Sequence, residues 1–424
     1  MSENLSKADS KFIIRPWKLD PLILTRGEGV YVEDVKGRRL IDTMSAFFVL
    51  NVGYSHKEVL EAIKDQVDRI IHTTTYQSNI PIIKLAEKLA EITPTKLNRI
   101  FYTVGGAETC ETAIRMAKQY TGKREIITLQ ASYHGASTVG SSTMTGISKN
   151  KVGFTPQVPG VFHAAAPYCY RCVFDKEYPD CGLRCAGDIE RVINTETSGD
   201  VAAILVEPIL GAGGAIIPHD GWLQEVERIC RENDLLFIVD EIQTGFGRSG
   251  RMWAIEHCQV EPDIMCLSKT VGGGLPLGAV VTTKEIAEKF QASIPSTFAG
   301  NALAAAAGLK TIEIIERERL WKKAERMGNY FYKRFSELAE KYDVIGDVRF
   351  KGLMGGIELV KDRKSKEPAV DECWKIAYKL RELGILTFPG GISGSVFRVQ
   401  PPLIITEEEA EKIINAYDTA LASI

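Results

Sequence analysis

No stretch of the 424-residue chain approaches the ~20 consecutive apolar residues that a bilayer crossing needs. The first residues, MSENLSKADSKF, are polar and mixed in charge, with no apolar signal core, so a soluble cytoplasmic protein is expected. Charge of one sign is missing too. Lys and Arg total 52 against 55 Asp and Glu, a net of −3, which gives no reason to expect nucleic acid or an anionic membrane as a partner. Internal repeats, low-complexity linkers and Pro/Ser tracts are absent, which excludes solenoids and flexibly strung modules. What remains is a chain long enough to bury a large core in two structural lobes.

Cysteine is present but sparse, with nine residues. Cys110, Cys230, Cys258, Cys266 and Cys373 are scattered and read as small packing residues. Cys169, Cys172, Cys181 and Cys185 cluster in PYCYRCVFDKEYPDCGLRCAGD. A CxxC beside a CxxxC could hold a structural zinc, form two local disulfides or stay reduced. In a cytoplasmic protein, reduced thiols or metal rank above disulfides. Nothing in the cluster points to catalysis.

The chain is organised around residues 235–270. Residues 235–240 (LLFIVD) form an unbroken apolar run closed by Asp240, the pattern of a fully buried strand. Residues 264–267 read as a second short strand, followed by Ser268 and Lys269. A carboxylate and an ammonium at the edge of a core are each costly unless something meets them. Pyridoxal phosphate answers both, because its ring nitrogen suits an Asp and its aldehyde suits a lysine Schiff base. Glycine-rich turns, GFGRSG and VGGGLPLG, follow the two strands, as suits loops carrying a site at the C-terminal edge of a parallel sheet.

Further strands are read at residues 99–104, 125–130 and 202–206, with another at 278–282, perhaps antiparallel in sense. Helices between several of them argue for βαβ units. VYVEDVKGRRLID at residues 30–42 alternates like a hairpin, and a helix is expected at 57–69. From residue 302 the chain reads as helical for some forty residues. VRFKGLMGGIELV, GILTFPG and VFRVQPPLII then supply the strands of a smaller lobe, and Thr406 with Glu409 opens a last helix as a capping box.

DEIQTGFGRSG followed by LSKTVGGGLPLGAV resembles the signature region of class III (subgroup II) aminotransferases, and the likeness runs from about Val30 to the end. The resemblance implies an α/β, fold-type I pyridoxal-phosphate enzyme. Its large domain would hold a mainly parallel sheet of the seven-stranded type at residues 61–310. The smaller α+β domain would take 311–424, joined by a 1–60 segment. It implies Asp240 at the pyridine nitrogen, Lys269 as the covalent lysine, Ile242 on one ring face, and Gln243 with Glu207 at the phenolic side. TVGGAETCETA matches the phosphate-cup segment, placing Gly105, Gly106 and Ala107 there, with Gly105 where the family usually has Ser. Tyr133 would stack on the ring with His134 beneath it. Thr297, in TFAGN, would reach the phosphate of the other subunit's cofactor, making the protein a homodimer with shared sites, or a tetramer built from it. Phe48 would wall the substrate and Arg398, in FRVQPPL, would hold its carboxylate.

The residue after Tyr-His-Gly is Ala136, where the GABA, ornithine and acetylornithine members have Arg, and the turn after Glu207-Pro208 has Ala212 where they have Glu. Both departures favour pyruvate or glyoxylate as acceptor of an amino group from an omega-amino acid, an amine or alanine. A 2,2-dialkylglycine decarboxylase is similar through GDVRFKGLMGGIELVKDRKSKEPA but has Gln where this chain has Phe47. A 2-oxoglutarate enzyme, a racemase of the family and a non-enzymatic scaffold rank below the keto-acid transaminase.

Overall fold

A computed structural model describes residues 2–14, 22–74, 76–291 and 296–424. Seven strands form the central sheet: β1 (Arg99–Thr103), β2 (Glu125–Leu129), β3 (Val161–Ala164), β4 (Val201–Val206), β5 (Leu236–Asp240), β6 (Ile264–Leu267) and β7 (Gly278–Thr282). Their order across the sheet is β1-β7-β6-β5-β4-β2-β3. Pairs β3/β2, β2/β4, β4/β5 and β5/β6 are parallel, and β7 runs antiparallel to both β6 and β1. The sheet is thus mainly parallel, as expected, and β7 has the expected antiparallel sense.

The central strands are apolar on both faces because helices cover both. Every residue of β4, β6 and β7 is buried. Helix Gly106–Thr121 packs on one face, where Cys110, Ala113, Ile114, Met116 and Ala117 join Ile126, Ile238 and Val280 in one apolar cluster. On the other face Trp222, Val226 and Ile229 of helix Trp222–Glu232 join Ile204, Phe237 and Val239. Strand β3 carried no clear signal: it is a four-residue edge strand with three of its residues only partly buried.

The hairpin at residues 30–42 forms as Tyr31–Asp34 and Arg39–Asp42, and Arg39–Asp42 also pairs in parallel with Ile385–Leu386. A third sheet joins Ile345–Lys351, Met354–Leu359, Val396–Val399 and Pro389–Gly390. GILTFPG therefore divides between two sheets, and the third strand stops at Val399 because Pro401 and Pro402 cannot continue a ladder. The expected forty-residue helix is two helices, Ala302–Arg317 and Leu320–Lys341, with Arg319 between them at φ 49°. Unbroken, it would span ~60 Å, and the break lets its second half pack on the third sheet. The last helix, Glu407–Leu421, has the expected capping box between Thr406 and Glu409.

Candidate active site

All five parallel-running strands that end at the site do so on one edge of the sheet. β1 delivers Gly106 and Ala107, β2 delivers Tyr133 and His134, β4 delivers Glu207, β5 ends in Asp240, and β6 delivers Ser268 and Lys269. They surround a cavity of about 310 Å³. Asp240, His134 and Glu207 line its depth, with Ile242, Gln243 and Lys269 beside them. Gly106, Ala107 and Tyr133 complete the expected set. Gly135 and Ser268, named only as neighbours of His134 and Lys269, also line it, as does Ser137, which sequence reasoning missed. Gly105, Phe48, Thr297 and Arg398 do not touch this cavity.

Asp240 is nearly fully buried. Its Oδ2 meets His134 Nδ1 at 2.8 Å and accepts from Cys110 Sγ at 3.4 Å, while Oδ1 accepts from Ile242 N at 3.0 Å. Burial is the largest influence and opposes a charge on His134, but the hydrogen bond and charge of Asp240, with Cys110 beside it, together outweigh it and lift the imidazole pKa to about 10. The imidazole is thus a cation facing a carboxylate, and its Nε2 is buried without a partner.

Lys269 Nζ donates to Gln243 Oε1 at 3.0 Å, and Gln243 Nε2 donates to Gln400 Oε1 at 3.0 Å. Desolvation lowers the amine's pKa to about 8, against the opposing pull of Asp240 and Glu207. An amine so tuned can take and return a proton near neutrality. Lys269 itself has φ 48°, in the left-handed region, where the strand turns into a short helical turn. Glu207 accepts from Tyr133 N at 2.8 Å and Gly211 N at 2.9 Å. Burial raises its carboxyl pKa to about 7.

The anion end is the N-terminus of helix Gly106–Thr121, whose first residues face the cavity. A Cβ on Gly106 would stand 3.2 Å from Ile242 Cδ1, so glycine keeps that approach open. Unpaired N–H groups and the helix dipole there suit a phosphate.

Arg398 lies beyond the cavity, on strand Val396–Val399, with its guanidinium carbon 4.7 Å from the Phe48 ring centre and 5.7 Å from that of Phe47. It is 9% exposed, and no hydrogen bond or ion pair reaches it among the described residues; its Nε is buried and unpaired. Phe48 is 2% exposed, whereas Phe47 is 54% exposed. Residues 45–48 all have positive φ, 44° to 71°, an unusual left-handed turn for non-glycine residues. A further cation, Lys149, donates to Gly391 O at 3.0 Å and lowers its own pKa in part through Arg398's charge, after burial; the sequence offered no signal for it. Thr297 is exposed on a turn at residues 297–300.

The four clustered cysteines are free thiols, and among the described residues their sulfurs do not gather into a metal-sized group.

The sequence profile of the family described as Aminotransferase class-III matches residues 14–421. The leucine/methionine racemase of Thermococcus litoralis is 39% identical over 95% of this chain and 91% of its own length. The alanine–glyoxylate aminotransferase 2 homolog 2, mitochondrial, of Arabidopsis thaliana is 39% identical over 95% and 83%. Among solved structures, the omega transaminase of Pseudomonas jessenii in complex with PMP superposes with a TM-score of 0.93 at 30% identity, covering 99% of this chain and 98% of that one.

Proposed function

Because the chain belongs to the class III aminotransferase family, whose cofactor is pyridoxal phosphate, we propose that it moves an amino group from an omega-amino acid, an amine or alanine to pyruvate or glyoxylate. The residues fit the cofactor: a buried carboxylate–imidazole pair, a lysine with lowered pKa, and a helix N-terminus kept open by Gly106 share one cavity. When bound, pyridoxal phosphate supplies an aldehyde that condenses with amines and a protonated ring that accepts an electron pair. In this reading Asp240, backed by His134, holds the proton on the ring nitrogen. Lys269 would hold the cofactor covalently, and its Nζ, as a free amine, would move the proton at the amine-bearing carbon. Gln243 and Glu207 would hold the phenolic side, and Tyr133 and Ile242 would pack against the ring. The backbone of Gly105, Gly106 and Ala107 binds the phosphate. Thr297 serves the partner subunit's phosphate, so the active unit is a homodimer.

The observation that carries the choice of acceptor is Arg398. A buried guanidinium with no anionic partner is a carboxylate clamp awaiting its ligand. Phe48 backs that clamp, and Phe47 borders the substrate end with it. The neighbouring turn, Gly211–Gly214, is tied to the same region by Ile392 N donating to Gly213 O at 3.1 Å, and it carries Ala212 rather than an acid that could neutralise Arg398. Ala136 lines the cavity without charge. One carboxylate is therefore matched. For a second one, as in 2-oxoglutarate, a further cation near Arg398 among the described residues is Lys149, whose ammonium is already held by Gly391. Leaving it underpaired costs several kcal/mol.

A second reading is racemisation, which the likeness to a leucine/methionine racemase favours. Inversion removes the proton from one face of the amine-bearing carbon and returns one to the other face. Among the cavity-lining residues, His134 is tied to Asp240, and Glu207 is tied to two backbone N–H groups. Tyr133 also lines the cavity, with its phenol held protonated by burial, so Lys269 is the one amine base there and transfer is the simpler reading.

We further propose cytoplasmic residence and a division into residues 1–60, 61–310 and 311–424; no helix among the described residues is long and apolar enough to cross a membrane. The test of the function is a keto-acid panel. Pyruvate or glyoxylate should exceed 2-oxoglutarate by at least ~10-fold in kcat/KM, a difference of about 1.4 kcal/mol. A preference for 2-oxoglutarate overturns the reading.

A further inference from the structure

Cys110 sits one turn inside helix Gly106–Thr121, and it is completely buried. By composition alone it is a small apolar packing residue. Its surroundings are apolar on one side only. The sulfur stands 3.4 Å from Asp240 Oδ2, the oxygen that also meets His134 Nδ1 at 2.8 Å. The other oxygen accepts from Ile242 N at 3.0 Å. Three donors from three segments, the helix, the loop after β2 and the turn after β5, therefore converge on one carboxylate.

We propose that Cys110 is a positioning residue for Asp240: its thiol is the third donor that fixes the carboxylate's plane and limits its basicity where the cofactor's ring nitrogen binds. The inference rests on the assignment of Asp240 to that nitrogen. The thiol stays protonated and so remains a donor, because its contact with Cys266, its burial and the charge of Asp240 all raise its pKa. His134 offers no substitute, since its Nε2 points to no partner and its Nδ1 is already used. The titratable groups around Asp240 are Cys110, His134, Glu207 and Lys269, with Cys266 behind Cys110. Without the thiol, Oδ2 keeps His134 alone. The carboxylate becomes more basic, and the proton it shares with the ring nitrogen is held more by the Asp and less by the ring. A value near 3.4 Å is an ordinary donor–acceptor separation for sulfur, so the effect is that of one neutral hydrogen bond.

The test compares C110V, C110S and D240N with the wild-type protein. In the apoprotein, labelled histidine followed by NMR reads the His134 titration directly. In the holoenzyme, the nitrogen-15 shift of labelled pyridoxal phosphate is followed against pH, with the rate of proton removal from an amine. C110V should raise the His134 titration, move the ring-nitrogen signal toward its unprotonated position, and slow proton removal about 5- to 10-fold. C110S, which restores a donor, should recover most of each shift. D240N should move the ring-nitrogen signal further than C110V. If D240N shifts the ring nitrogen while C110V leaves both titrations at their wild-type positions, Cys110 is packing only and the proposal falls. If D240N leaves the ring nitrogen unchanged, the Asp240 assignment falls and takes the proposal with it.

Discussion

Removing the guanidinium of Arg398 separates its role in substrate binding from any role in the fold. The side chain is 9% exposed, and among the described residues it makes ring contacts to Phe47 and Phe48 but no hydrogen bond or ion pair. A bound carboxylate would receive two charge-assisted hydrogen bonds from it, each about 1.5–3 kcal/mol, for a total of roughly 3–5 kcal/mol after desolvation. At 1.4 kcal/mol per tenfold, R398A should cut kcat/KM for pyruvate by ~10²- to 10³-fold. The half-reaction with a primary amine lacking a carboxylate should change by less than ~5-fold, because nothing in that substrate uses the clamp. Stability should move the other way. An unpaired buried charge is a burden on the ligand-free fold, so R398L, which keeps apolar bulk, should leave the apoprotein's Tm unchanged or raise it. Stopped-flow half-reactions and thermal unfolding read both effects. Equal losses in the two half-reactions, or a fall of many degrees in Tm for R398L, refute the clamp.

Three further outcomes are expected. K269A should lose the borohydride-reducible cofactor linkage; a wild-type-like covalent adduct would refute its assignment. Gly105 has φ −168°, and a Cβ there meets nothing within 4 Å, so G105S should fold normally. The added hydroxyl at this cap should tighten cofactor binding about 5-fold, and weaker binding in equilibrium titration contradicts the phosphate-cup geometry. Glu241 is fully buried, accepting from Ile255 N at 2.9 Å and from Thr244, and burial raises its pKa from 4.5 to about 7. A carboxyl raised in the folded state binds its proton there first, so its stabilisation is complete below pH 4.5 and is lost as pH rises through 7. E241Q should flatten that fall, worth up to roughly 3 kcal/mol, in urea titrations of the apoprotein between those pH values. An unchanged slope would contradict the burial effect.

The sheet was legible because β4, β5 and β6 are buried on both faces and read as unbroken apolar runs closed by a polar residue. Asp240 and Lys269 stood out for the same reason: a charge at the end of such a run has to be met. β3 was not legible, since a short, half-buried edge strand has neither an apolar run nor strict alternation. The break at Arg319 was hidden as well, because no Gly or Pro marks it. Cys110 looked like packing, because sequence spacing cannot show which carboxylate a helix turns toward. Lys149 lies far along the chain from Arg398, and only the loop around Gly391 brings the two cations together.

The central claim is that one mobile base, Lys269, and one carboxylate clamp, Arg398, perform amino transfer to a small keto acid. It is tested most directly by giving the holoenzyme L-alanine and no acceptor, then following pyruvate and both alanine enantiomers on the same samples. The account predicts one pyruvate per active site, with the cofactor's visible absorbance moving to the near ultraviolet and D-alanine staying at trace level. D-alanine accumulating over many turnovers, with little pyruvate formed, would contradict it.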